Sequence, residues 1–154
     1  MRIYLDSSVF GGCFDEEFAK ESLRLVAEIK AGKFRLVMSE TVLAELESAP
    51  AHVQNALADI PKEFIETVAS NPEVEALQQA YLEAKIVGPA SAADAEHIAI
   101  ATVARADMIV SWNFKHIVHY EKIAGYLSVN LRLGYGSIGI YSPQEVVSHE
   151  NEDI

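Results

Sequence analysis

The sequence predicts an α/β fold with a mainly parallel central sheet flanked by helices. Three observations predict it. Short apolar runs at residues 3–5, 34–38 and 108–111 alternate with longer stretches of helical periodicity. No hairpin signal separates the early strands, so parallel crossovers must join them. A run of small and apolar residues over 92–105 has too little polar surface for an exposed helix, so it is expected to pack inside.

Each element has its own local reason. Residues 3–5 (Ile, Tyr, Leu) stop at Asp6 and read as a first strand buried on both faces. Phe18, Leu23, Leu25, Val26 and Ile29 recur at roughly helical spacing over 15–31. Asp15, Glu16 and Glu17 stand at the start and Lys30 near the end, as the helix dipole favours, and Gly32 supplies the stop. Residues 34–38 read as a second strand, after which Ser39 is placed to cap a helix over 40–48. Pro50, Pro61 and Pro72 punctuate an acidic, mostly helical middle, with Pro72 opening a helix that runs to about Ile86. Ser91 is placed to cap the helix over 92–105. A third strand over 108–111, a helix from about 115 to 131 and a last strand over 137–141 complete the reading. No repeat, linker or low-complexity tract interrupts the chain, which predicts one domain over 1–145 and an acidic tail over 146–154.

Composition narrows the class. The chain has 154 residues, 23 acidic against 12 basic, for a formal net charge of −11. That length buries a core without disulfides, and the single Cys13 excludes an internal disulfide or a multi-thiolate zinc site. No apolar run approaches the roughly 18–20 residues of a membrane span, and an acid as early as Asp6 predicts a cytoplasmic protein without a signal peptide. The charge argues against a basic nucleic-acid clamp. It is unevenly spread, however. Residues 48–100 carry most of the excess acid, whereas Lys20, Arg24, Lys30, Lys33 and Arg35 gather early and Arg105, Lys115, Lys122 and Arg132 late.

A few oxygen-bearing residues are placed for chemistry. Asp6 stands at the carboxyl end of the first strand, where open α/β sheets bind ligands. Asp94 lies in the first turn of the apolar helix, where the dipole favours its ionised form, and His97 follows one turn later. Asn113 follows the third strand, with Ser111 beside it. Glu40, Glu45 and Glu47 flank the apolar stripe of the short third-segment helix, and periodicity does not choose among them. Three strands thus deliver acids or amides to one sheet edge. Crowded carboxylates repel unless a cation neutralises them, and hard oxygen donors suit Mg²⁺ or Mn²⁺. Such an ion activates water and stabilises charge on a phosphate, which makes metal-dependent phosphodiester cleavage the leading chemistry.

The same residues carry a family resemblance. Ile3-Tyr4-Leu5-Asp6-Ser7-Ser8-Val9 resembles the opening of PIN domains, a hydrophobic strand ending in Asp followed by Ser or Thr. Ser39-Glu40-Thr41-Val42-Leu43-Ala44-Glu45-Leu46 is similar to the second motif of that family, whose acid falls on Glu45. Asp94-Ala95-Glu96-His97-Ile98-Ala99-Ile100-Ala101-Thr102 resembles the third, and Ser111-Trp112-Asn113-Phe114-Lys115-His116-Ile117 a variant of the fourth. The resemblance implies a PIN-like three-layer fold and a Mg²⁺- or Mn²⁺-dependent endoribonuclease acting on RNA. It also implies a VapC-type toxin, homodimeric and held inactive by a cognate antitoxin. It assigns Asp6, Glu45, Asp94 and Asn113 as catalytic metal ligands, with Asn113 completing the site, and Ser7 and Ser111 as supports. Asn113 stands where many members have Asp, which removes one negative charge. The alternative is a PIN-scaffold protein that binds a partner without cutting RNA. A receiver domain lacks its further acids near Asp6, and an aspartyl phosphatase lacks its second Asp, since position 8 is Ser.

Overall fold

The structure is a computed structural model that describes residues 1–147. Residues 148–154, most of the expected acidic tail, lie outside the described residues. Five strands form one all-parallel sheet: β1 (Arg2–Leu5), β2 (Arg35–Ser39), β3 (Ile65–Val68), β4 (Met108–Val110) and β5 (Gly139–Tyr141), in the order β3-β2-β1-β4-β5. Among the described residues there are eight α-helices: α1 (Ser7–Gly12), α2 (Ala19–Lys30), α3 (Glu40–Glu47), α4 (Ala51–Ala58), α5 (Pro72–Glu83), α6 (Ala92–Val103), α7 (Tyr120–Arg132) and α8 (Pro143–Val146).

Strand β1 is central, and Ile3, Tyr4 and Leu5 are fully buried. The order of strands reverses direction beside it: β2 and β3 lie to one side, β4 and β5 to the other. That topological switch point is where an open parallel sheet leaves a crevice. Asp6 and Ser111 flank it, one at the carboxyl end of β1 and the other at that of β4. Helix α5 packs against α6 and α7, and α1 joins α2, α3 and α4. Alanines at 95, 99 and 101 are buried on α6 with Ile98 and Ile100, so this helix sinks among its neighbours as its composition requires.

Four local differences from the sequence expectation have physical reasons. Helix α1 starts directly after Asp6, in a segment whose paired serines and glycines lack helical periodicity. So short a helix is marginal alone and is held by the burial of Val9 and Phe10. Gly12 lets it approach Trp112, because a Cβ there would sit 2.5 Å from Ser22 Oγ and 2.8 Å from Trp112 Nε1. Strand β3 falls in the middle read as mostly helical; it is a four-residue edge strand, half-exposed, with little apolar signal. The Ser91 side chain makes no cap bond, and a 3₁₀ turn over Pro89–Ser91 leads into α6 instead. Helix α7 begins at Tyr120 rather than near 115, because Asn113 gathers the preceding residues into a turn: its side-chain oxygen accepts from the Lys115 and His116 amides and its carbonyl from Ile117 and Val118.

Helix α2 begins at Ala19, which leaves Asp15, Glu16 and Glu17 ahead of its first turn, and elsewhere the caps follow the sequence. Ser39 Oγ accepts from the Val42 amide at 3.0 Å, Asn71 caps α5 with Pro72 behind it, and Gly32 takes φ +84° past α2. Among the described residues no helix is long and apolar enough to cross a membrane.

Candidate functional site

The chain's conspicuous acids meet at the switch point, each with its own holder. Asp6 is 5 % exposed. Ser8 Oγ donates to its Oδ1 at 2.5 Å, and Ser111 Oγ donates to its Oδ2 at 2.6 Å. The two serines are fixed in turn, since Trp112 N–H donates to Ser8 Oγ and Asn113 N–H to Ser111 Oγ. Burial pushes the Asp6 carboxyl upward and Glu45 adds repulsion, while the two hydroxyls and His97 pull it back.

Glu45, half-exposed on α3, reaches across to α1 and α6. Ser7 Oγ donates to its Oε2 at 2.9 Å, and His97 Nε2 stands 2.8 Å from its Oε1. The hydrogen bond from His97 holds Glu45 below the usual carboxylate range, and the bond to Glu45, helped by the nearby acids, holds His97 above the usual imidazole value despite burial. Exposure does not separate Glu45 from Glu40 and Glu47, but its contacts with Ser7 and His97 do.

Asp94, in the first turn of α6, accepts a bond from Asn113 Nδ2 at 3.1 Å. The orientation of that amide is set by chemistry, because Asn113 Oδ1 faces two N–H donors and only an oxygen accepts there. Burial raises Asp94; the imidazoles of His116 and His97 oppose this, and Glu45 adds to it. His116 Nδ1 is buried with no hydrogen-bond partner among the described residues.

The structure therefore brings together Asp6, Glu45, Asp94, Asn113, Ser7 and Ser111. It also adds three residues to which the sequence assigned no role: Ser8, His97 in its contact with Glu45, and Tyr4, whose hydroxyl lies 2.7 Å from His97 Nδ1. Ser8 was readable as an Asp-x-Ser turn; the Tyr4–His97 contact spans 93 positions and leaves no local trace. Among the described residues no three His, Cys, Asp or Glu side chains stand close enough to form a ready-made cage. Mg²⁺ does not need one, since it keeps several waters and takes one or two carboxylates. Asp6 and Asp94, raised by burial and by Glu45, are acids that a cation would relieve, so the donor set fits a hydrated divalent ion.

A family model of the PIN domain matches residues 2–115. The chain belongs to the PIN domain family. The match spans β1 to the segment after β4, and so includes all the acids just described. Two solved structures share the PIN fold. One is VapBC2 from Rickettsia felis bound to a DNA fragment from their promoter, with TM-score 0.54 and 19 % identity, covering 75 % of this chain and 90 % of that one. The other is FitAcB from Neisseria gonorrhoeae, with TM-score 0.59 and 12 % identity, covering 94 % of this chain and 99 % of that one. Among curated proteins no sequence matches this PIN domain.

Proposed function

We propose that this PIN domain is a divalent-metal-dependent endoribonuclease, the toxin of a toxin–antitoxin pair. The observation that carries the reading is the linkage of three acids from three segments at the switch point: Ser111 donates to Asp6 and accepts from Asn113, Asn113 donates to Asp94, and Glu45 lies near enough to raise both aspartates. Family membership and the fold likeness to VapBC2 and FitAcB support the nuclease and toxin assignments. Asp6 and Asp94 would hold Mg²⁺ or Mn²⁺ with Glu45. The ion, when bound, supplies an activated water and charge stabilisation at phosphate. Ser8 and Ser111 orient Asp6 and oppose the effect of its burial, Ser7 steadies Glu45, and Asn113 completes the site by holding Asp94. Phosphate contacts fall to the bases of residues 20–35 and 105–132, so RNA binding is weak, salt-sensitive and dependent on the cation. The acidic chain suits a basic antitoxin segment, and homodimerisation and a cytoplasmic location belong to the same reading.

The test is cleavage of labelled RNA by purified protein in Mn²⁺, comparing Asp94→Ala with the parent. Expected is cleavage by the parent alone, abolished by EDTA. Equal cleavage by both, or cleavage that EDTA leaves intact, overturns the reading. One observation favours the second reading of a non-cleaving PIN scaffold: the side-chain oxygen of Asn113 is engaged by two backbone amides and offers little to a cation. Metal binding without cleavage of any RNA would decide for it.

A further inference from the structure

A chain of buried hydroxyl and imidazole groups runs from beneath the sheet edge to Glu45. Ser39 Oγ lies 2.8 Å from Tyr4 Oη, Tyr4 Oη 2.7 Å from His97 Nδ1, and His97 Nε2 2.8 Å from Glu45 Oε1. Tyr4 and Ser39 are fully buried and His97 is 3 % exposed. Donor logic gives the chain a direction. A carboxylate only accepts, so Nε2 carries a proton. Ser39 Oγ already accepts from Val42 N–H, which leaves its own proton for Tyr4, and the Tyr4 proton then goes to Nδ1. A cationic ring would turn the Tyr4 hydroxyl toward Ser39 and keep the bond to Glu45. Three elements, β1, β2 and α6, thereby fix a side chain that sits on a fourth.

We infer that His97, braced by Tyr4 and Ser39, is a positioning residue that pins one oxygen of Glu45 and leaves the other, beside Ser7, as its ligating edge. The inference rests on the cation reading of the site. Carboxylates that bind metal are themselves held by outer hydrogen bonds, whose loss typically weakens binding about 10–100-fold.

The test uses the full chain and Mn²⁺ alone, with free ion followed by electron paramagnetic resonance. His97→Leu is expected to weaken Mn²⁺ binding by about 10–100-fold, whereas His97→Gln, which keeps an N–H donor, restores most of the affinity. In a Glu45→Ala background the further change to His97→Leu should add nothing, because the two act through one contact. Tyr4→Phe keeps the ring and removes the brace; it should weaken binding in the same direction, and it serves if His97→Leu does not fold. Selective ¹⁵N labelling of histidine gives a metal-free readout: a slowly exchanging Nε2–H resonance that Glu45→Ala abolishes. Additive losses in the double variant, or unchanged affinity in both His97→Leu and Tyr4→Phe, overturn the positioning role. A parent that binds no Mn²⁺ overturns the cation reading itself, whereas one that binds Mn²⁺ regardless of His97 overturns this inference alone.

Discussion

Removing the Ser111 hydroxyl tests how Asp6 is kept in place. Ser111 is fully buried and works twice: it donates to Asp6 Oδ2 at 2.6 Å and accepts from Asn113 N–H at 2.9 Å. Ser111→Ala therefore loses one hydrogen bond to a charged acceptor, of about 1.5–3 kcal/mol, and leaves a backbone donor short of a partner, at about 1 kcal/mol or more. Partial relaxation puts the net cost at about 3 kcal/mol. For a chain of this size the unfolding entropy is about 0.3 kcal/mol per degree, so the melting temperature should fall by about 8–10 °C. Ser7→Ala is the contrast. Its hydroxyl also donates to a carboxylate, at 2.9 Å, but Glu45 is 41 % exposed and water replaces the bond; the expected cost is under about 1 kcal/mol. Thermal and urea unfolding followed by circular dichroism, in EDTA, gives both numbers. In an Asp6→Asn background Ser111→Ala should cost less, because the charged acceptor is gone. A Ser111→Ala loss below about 0.5 kcal/mol, or a Ser7→Ala loss of equal size, would refute the view that burial of Asp6 sets the energy scale of this site.

Three further outcomes follow from other parts of the molecule. Gly12→Ala places a Cβ 2.5 Å from Ser22 Oγ and 2.8 Å from Trp112 Nε1, across the 2.7 Å bond between those atoms; it should cost about 1–3 kcal/mol and shift the fluorescence of the single tryptophan to the red. Lys85 ends α5 with φ 58°, so Lys85→Gly relieves a left-handed residue and should raise stability by about 0.5–1 kcal/mol in urea titrations. The Glu45–His97 pair gives a pH window in the metal-free protein. Depressed Glu45 contributes above its ordinary value of 4.5 and loses that as pH falls through its folded value, while raised His97 contributes below 6.5 and loses that as pH climbs through its own. The stability gap between the parent and His97→Gln should thus be widest between those values and close on both sides; a gap flat from acid to pH 9 would be contrary.

The frame of the molecule was legible because its signals are local. Apolar runs ended at Asp6 and Ser111, and the small residues of α6 declared a buried helix. Asp6 and Asp94 stood out for the same reason, each at the end of a strongly patterned element. Glu45 was different. Glu40, Glu45 and Glu47 flank one apolar stripe, and motif resemblance alone pointed to the middle one until the contacts with Ser7 and His97 separated them. Strand β3 leaves little trace in the sequence because an edge strand of Ile-Glu-Thr-Val carries little hydrophobic signal and depends on pairing with β2. The Tyr4–His97 contact was invisible for a deeper reason. Period-2 and period-3.6 patterns report which face a residue takes, not which atom of a distant element it meets.

The charge pattern and the hydrogen bonds together explain how so acidic a chain tolerates three acids in one crevice. Burial and Glu45 push Asp6 and Asp94 toward protonation, and each is pulled back by donors that the fold supplies separately. Asp6 has hydroxyls from α1 and from the end of β4; Glu45 has Ser7 and His97; Asp94 has the amide of Asn113. Apart from Ser111, which also braces Asn113, each of these hydroxyl and amide holders bonds one acid, so losing one chiefly loosens that acid. Partial, graded defects are therefore expected from the holders and complete ones from the acids. That difference in kind between Ser7, His97 or Asn113 on one side and Asp6 or Asp94 on the other is what separates a cation site from an ordinary polar crevice, where every deletion would register only as lost stability.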